Sequence, residues 1–106
     1  RLKSAELVVQ RLQQIVAPDE AVVVLGDYNA PWMFPAVQTV ADTGLSVAPP
    51  QGSTFHFNRG INVMPAIDHI LAGRGLRPAG AEVMREKTGQ VWPSDHYLVC
   101  ANLYWE

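Results

Sequence analysis

The sequence predicts a single α/β domain, and three observations carry that expectation. An amphipathic helix pattern over residues 3–16 leads into 21–25, an unbroken valine-rich run. An apolar run that does not alternate suits a strand covered on both faces, as in a central sheet. A second helix pattern follows, and after it come several short strand-like segments. No internal repeat, low-complexity tract or linker divides the chain, and 106 residues suffice for one modest core.

The elements follow in order. In 3–16, Val8, Leu12 and Ile15 fall at helical spacing, with Leu7, Val9 and Val16 widening the stripe. Ser4 suits an N-cap, and Pro18, Asp19 and Glu20 stop the helix. Residues 35–42 predict a short second helix, opened near Pro31 or Pro35 and ended by Gly44. Residues 45–53 read as a loop, with Pro49, Pro50, Gly52 and Ser53. A short strand is expected at 54–57 and a loop at 58–65. A second apolar strand is expected at 66–72, interrupted by Asp68 and His69. A strand leaving Gly80 is expected at 81–86, a loop at 89–95 and a final strand at 97–104.

Composition narrows the function classes only in part. Hydrophobic residues make up 48% of the chain, which is a globular rather than a disordered composition. The formal net charge is −2, so no strong field draws the chain to nucleic acid or to an anionic membrane, although a local basic groove is compatible with it. Cys100 is the single cysteine, which rules out an internal disulfide; its apolar surroundings predict a small buried core residue. No apolar run reaches the length of a membrane span, and no apolar segment follows Arg1 and Lys3 in the manner of an export signal. Compartment is left open.

Three polar clusters border or interrupt the expected strands: Gly26-Asp27-Tyr28-Asn29, Ile67-Asp68-His69-Ile70 and Ser94-Asp95-His96. In open α/β sheets, ligand sites gather beyond the carboxyl ends of strands. Carboxylates there, with an imidazole and an amide, suit a hard divalent cation and a phosphate. Each cluster also has a plainer reading. Asp27 and Asn29 suit a turn closing a strand. Asp68, set between isoleucines, must find a partner, because an unpaired buried carboxylate is costly; His69, His96 or a cation would serve. Ser94, Asp95 and His96 read equally as a polar loop, and three neighbours cannot form a serine triad among themselves. His69 alternates to the face opposite Asp68 and reads as structural and hydrogen-bonded.

The three motifs together resemble the endonuclease/exonuclease/phosphatase (DNase I-like) superfamily, the group of DNase I-like nucleases, abasic-site endonucleases, sphingomyelinases and inositol polyphosphate 5-phosphatases. "GDYNA" is similar to its Gly-Asp-Phe-Asn signature. "STFHFNRGINVMPAIDHIL" is similar to its Thr-Phe stretch, loop and Ile-Asp-Tyr-Ile strand, with His69 in place of the common tyrosine. "SDHYLVCANL" is similar to its Ser-Asp-His motif entering the last strand. The resemblance covers the chain from Ala21 to Tyr104.

This resemblance implies the C-terminal half of a four-layered α/β sandwich, with antiparallel or mixed sheets and flanking helices, spanning residues 1–106. It implies metal-dependent hydrolysis of a phosphoester with Mg²⁺ (or Mn²⁺). His96 would contact the scissile phosphate and Asp68 would orient it. Asp27 would orient or deprotonate the attacking water, and Asn29 would hydrogen-bond the phosphate or that water. Asp95, with Asp27, would sit at the metal. His56, Asn58 and Arg59 fall where relatives contact substrate, although a solvated loop is as good a reading for them. Trp92 would stack on a substrate group or simply pack. Trp32 and Phe34 are expected in the core rather than at a cleft, and Tyr28 is expected to turn inward. The substrate would be nucleic acid, a phospholipid headgroup or a small phosphoester. The alternative is a non-catalytic binding or scaffold module that keeps the fold.

The family's metal-ligating glutamate and early asparagine belong to a first half that this chain does not contain, and Glu6 and Glu20 lie too close to Asp27 to replace them. The isolated chain is therefore expected to be inactive. It is also expected to leave an apolar sheet face that seeks the missing N-terminal half or a second copy.

Overall fold

The computed structural model describes residues 2–48, 52–60, 62, 64–87 and 89–106. Helix α1 (Leu2–Ile15) is followed by β1 (Val22–Asp27), α2 (Pro35–Ala41), β2 (Leu45–Val47), β3 (Asp68–Gly73), β4 (Leu76–Met84) and β5 (Leu98–Trp105). Strands β1, β3 and β2 form a three-stranded antiparallel sheet in that order, and β4 and β5 form a two-stranded one. No helix among the described residues is long and apolar enough to cross a membrane.

The core lies between the helices and the first sheet. Ala5 and Leu12 of α1, Val37 and Val40 of α2, Val22 of β1, Leu45 of β2 and Leu71 of β3 are among its buried members. Alternation along β1 sends Val22 and Val24 toward this core, and it sends Val23, Leu25 and Asp27 to the other face. Gly73 stands where β3 passes between its two partner strands, opposite both Val22 and Leu45. A Cβ there would overlap the carbonyl oxygen of Gly44, so glycine is the residue that permits the close approach.

Several expectations are corrected. Among the described residues, strand β1 is an edge strand and is not covered on both faces: Val23 is 40% and Leu25 67% exposed. Residues 45–47, expected in a loop, form β2; Pro49 and Pro50 of that expected loop lie outside the described residues. The expected strand at 54–57 reduces to a single bridge between Phe55 and His96. Strand β4 begins at Leu76 and not at Ala81, with a register shift between Pro78 and Ala81. That shift is a bulge, a place where a strand tolerates proline and glycine. Ser4 lies inside α1 and does not cap it. Cys100 is exposed because it sits on the outer face of β5. Trp32 and Phe34 are about half exposed and stand outside the core.

Candidate active site

The β1–β3 register sets Asp27 directly opposite Asp68 at one end of the first sheet. The ladder is prolonged at that end by the Tyr28 N–H, which donates to the Ile67 carbonyl at 2.9 Å. Two carboxylates on neighbouring strands repel unless something positive stands between them. His96 fills that place. Its Nδ1 is 2.7 Å from Asp68 Oδ2, and its Nε2 is 3.8 Å from Asp27 Oδ2. The three side chains offer ligand atoms that all lie within 4.8 Å of one another.

Burial alone would lower the His96 pKa, but the hydrogen bond to Asp68 and the charges of Asp68, Asp27 and Asp95 outweigh it and raise the pKa above 6.5. With Asp68 accepting from Nδ1–H, the free nitrogen Nε2 faces Asp27 and solvent. Asp68 is thus a partly buried carboxylate satisfied by a histidine, and the histidine is His96 rather than its neighbour His69.

The turn after β1 serves the site as well as the chain reversal. Asp27 Oδ1 accepts the Asn29 N–H at 2.8 Å, and Asn29 adopts φ +51°. Asparagine tolerates that conformation better than most residues. The turn reading of Asp27 does not preclude a role at the site: one carboxylate oxygen closes the turn and the other is presented to His96. Gly26, at φ +149°, supplies the backbone geometry just before it. Tyr28 packs against the core, and its burial raises the phenol pKa to about 12.

His69, one residue from Asp68, faces the other way. It is buried, its Nε2–H donates to the Ala30 carbonyl at 2.7 Å, and its ring meets Tyr28 edge-on. Desolvation lowers its pKa despite the Ala30 bond and the nearby Asp68 and Asp27 charges, which keeps it neutral. Its role is to hold the 28–30 turn to β3.

The remaining candidates are not drawn into the cluster. Asp95 is exposed and is not one of the Asp27–Asp68–His96 trio, although its charge helps to raise the His96 pKa; its backbone carbonyl accepts the His56 N–H at 2.9 Å. His56 is fully buried and stacks on Tyr97 with ring centroids 4.3 Å apart, so its ring is not presented to a ligand. Trp92 packs on His56 and Tyr97 and covers Gly60, where no Cβ would fit. Asn58 and Arg59 are exposed, and Asn58 is held at φ +59°. Asn29 is exposed beside Asp27.

Two residues near the site carry no assignment from sequence. The Phe55 ring lies edge-on to His96 at 5.0 Å, and Thr54 bonds to backbone on both sides of the cluster. Both stand inside the Thr-Phe stretch, where the available signal was a threonine beside an aromatic residue in a short expected strand.

Antiparallel α/β architecture with an Asp–His pair and a second carboxylate at the strand ends defines a DNase I-like class of protein. The chain belongs to the endonuclease/exonuclease/phosphatase family, which it matches over residues 1–96. Solved structures agree on the fold. A family member from Bacteroides thetaiotaomicron superposes with a TM-score of 0.79 at 18% identity, over 99% of this chain and 44% of that one. One from Bacteroides vulgatus gives 0.74 at 22% identity, over 99% and 44%. A mannosyl-6-phosphatase from Bacteroides thetaiotaomicron gives 0.74 at 18%, over 98% and 45%. The chain thus spans less than half the length of these structures. Comparison with curated proteins gave no match.

Proposed function

We propose that this chain is the C-terminal half of a metal-dependent phosphoesterase domain. The observation that carries the reading is the His96 imidazole bound to Asp68 on one side and facing Asp27 on the other. Such a ring, held in one tautomer and biased toward its charged form, donates Nε2–H to a phosphate oxygen as negative charge develops there. Asp27 Oδ2 orients the attacking water and takes its proton. The water oxygen forms the new bond to phosphorus as the ester oxygen departs. Asn29 adds an amide donor without adding repulsive charge.

The donor set suits a hard cation. Asp27 and the exposed Asp95 would hold Mg²⁺ or Mn²⁺ through oxygen, whereas Asp68 is committed to His96. Such a cation, when bound, neutralises charge on the phosphate and favours ionisation of water.

A net charge of −2 favours a compact phosphoester over a long nucleic-acid backbone. A sugar phosphate is the natural first class to try, given the mannosyl-6-phosphatase among the structural neighbours. The decisive assay is Mg²⁺-dependent hydrolysis of a nitrophenyl phosphomonoester and phosphodiester by the complete domain, by this chain alone and by a His96→Ala domain. We expect turnover by the complete domain, a loss of roughly 10²–10⁴-fold in the variant, and none from the chain alone. No turnover by the complete domain across phosphoesters would instead favour a binding module that keeps the fold.

A further inference from the structure

We infer that Thr54 is a positioning residue that sets Asp68 and His96 at their mutual distance; its bearing on catalysis rests on the reading proposed above. Asp68 and His96 lie 28 positions apart on different segments, and they must stay at hydrogen-bond distance for the pair to work. Thr54 is bonded to both segments at once. Its Oγ1 accepts the N–H groups of Ile67 at 2.9 Å and of Asp68 at 3.2 Å. Its carbonyl accepts the N–H of Tyr97, the residue after His96, at 2.7 Å.

The surroundings make this a rigid link. Thr54 is 1% exposed, so its bonds do not exchange with water. The next residue, Phe55, bridges to His96 and lays its ring against the imidazole, and the His56 N–H donates to the carbonyl of Asp95. The short strip 54–56 therefore runs alongside 95–97, while the Thr54 side chain reaches across to the start of β3. Removing that hydroxyl leaves two partly buried N–H groups without this acceptor and lets the start of β3 drift relative to His96. Displacements of about 1 Å in such a constellation cost on the order of 100-fold in rate.

Three variants test it. Thr54→Val keeps the shape and loses the acceptor. Thr54→Ser keeps the acceptor. Ser53→Ala removes the neighbouring buried hydroxyl, which bonds to the Met64 carbonyl and touches neither member of the pair. The first readout is the ¹⁵N signal of His96 Nδ1, together with hydrogen exchange at the Asp68 amide, in this chain. The second is kcat and KM of the complete domain. We expect Thr54→Val to shift the His96 signal, accelerate exchange at Asp68 and lower kcat roughly 10- to 100-fold with little change in KM. Thr54→Ser should restore all three, and Ser53→Ala should leave the His96 signal in place even where it destabilises. A wild-type His96 signal in Thr54→Val, or the same shift in Ser53→Ala, would overturn the inference. If Thr54→Val does not fold, Thr54→Ser decides: a folded serine variant that has lost the His96 signal refutes the link. The spectroscopic arm stands without turnover, so a domain that hydrolyses nothing sinks the phosphoesterase reading and leaves Thr54's role to be judged by the signal.

Discussion

His96 and His69 titrate in opposite directions for reasons visible in their contacts. His96 gains a carboxylate at 2.7 Å and has a second beyond it, whereas His69 is buried with a neutral carbonyl as its partner. Raising the folded pKa of His96 above 6.5 means that its contribution to stability is complete below pH 6.5 and is lost as pH rises through the folded value. Lowering that of His69 has the reverse sign: its contribution is present above 6.5 and is lost as pH falls through its depressed value. NMR titration of the chain with a chelator present should place His96 above 6.5, and Asp68→Asn should bring it down. A His96 that titrates at or below 6.5 in the wild type would remove the electrostatic basis of the site.

At the scale of elements, the sheet end is built by register, and register is built at Gly73. A Cβ at Gly73 would meet the Gly44 carbonyl, Leu45 Cδ2 and the Leu45 backbone. Gly73→Ala should therefore destabilise the chain by about 1–3 kcal/mol, read as a lower urea midpoint at unchanged slope. Gly80→Ala is the comparison, since open space surrounds that position. Equal midpoints for the two would contradict a tight β2–β3 approach. Much of this level was legible in the residues. Helical spacing marked α1, proline and glycine boundaries marked α2, an unbroken apolar run marked β1, and apolar segments interrupted by polar residues marked β3 and β5. The strand β2 was missed because three residues beside a proline pair carry no period to detect. The first half of β4 was missed because Pro78 and Gly80 are punctuation locally and a bulge only once β5 is beside them. At the site, Asp27, Asp68 and His96 were readable as motifs. That Asp68 and His96, 28 positions apart, would meet beside Asp27 depends on which strands pair, and no local signal states that. Burial of Trp32 and Phe34 was misjudged because hydrophobicity indicates a preference for the interior but not whether a turn can deliver it.

For the whole molecule, the apolar surface is the main unsettled account. Leu7 and Ile15 of α1, Val23 and Leu25 of β1 and Leu98 of β5 are all exposed. Leu25 lines one depression with Val23 and the α1 residues, and another with Asp68, Ile70 and Leu98. We propose that the rest of the domain covers this face and that a second copy replaces it when the chain is alone. Light scattering should then show the isolated chain heavier than 11.7 kDa, with Leu25→Glu shifting it toward the monomer. A monodisperse monomer for the wild-type chain would contradict this.

Asp27 ends a strand whose outer edge pairs with nothing among the described residues. Whatever completes that edge also settles the carboxylate that the proposed reaction needs. For two separately produced halves, turnover would thus depend on both concentrations and fall steeply on dilution below their mutual dissociation constant. The covalent domain, whose halves meet at a high effective concentration, would keep the same specific activity at any dilution. Chain continuity would then set the reaction's order in protein.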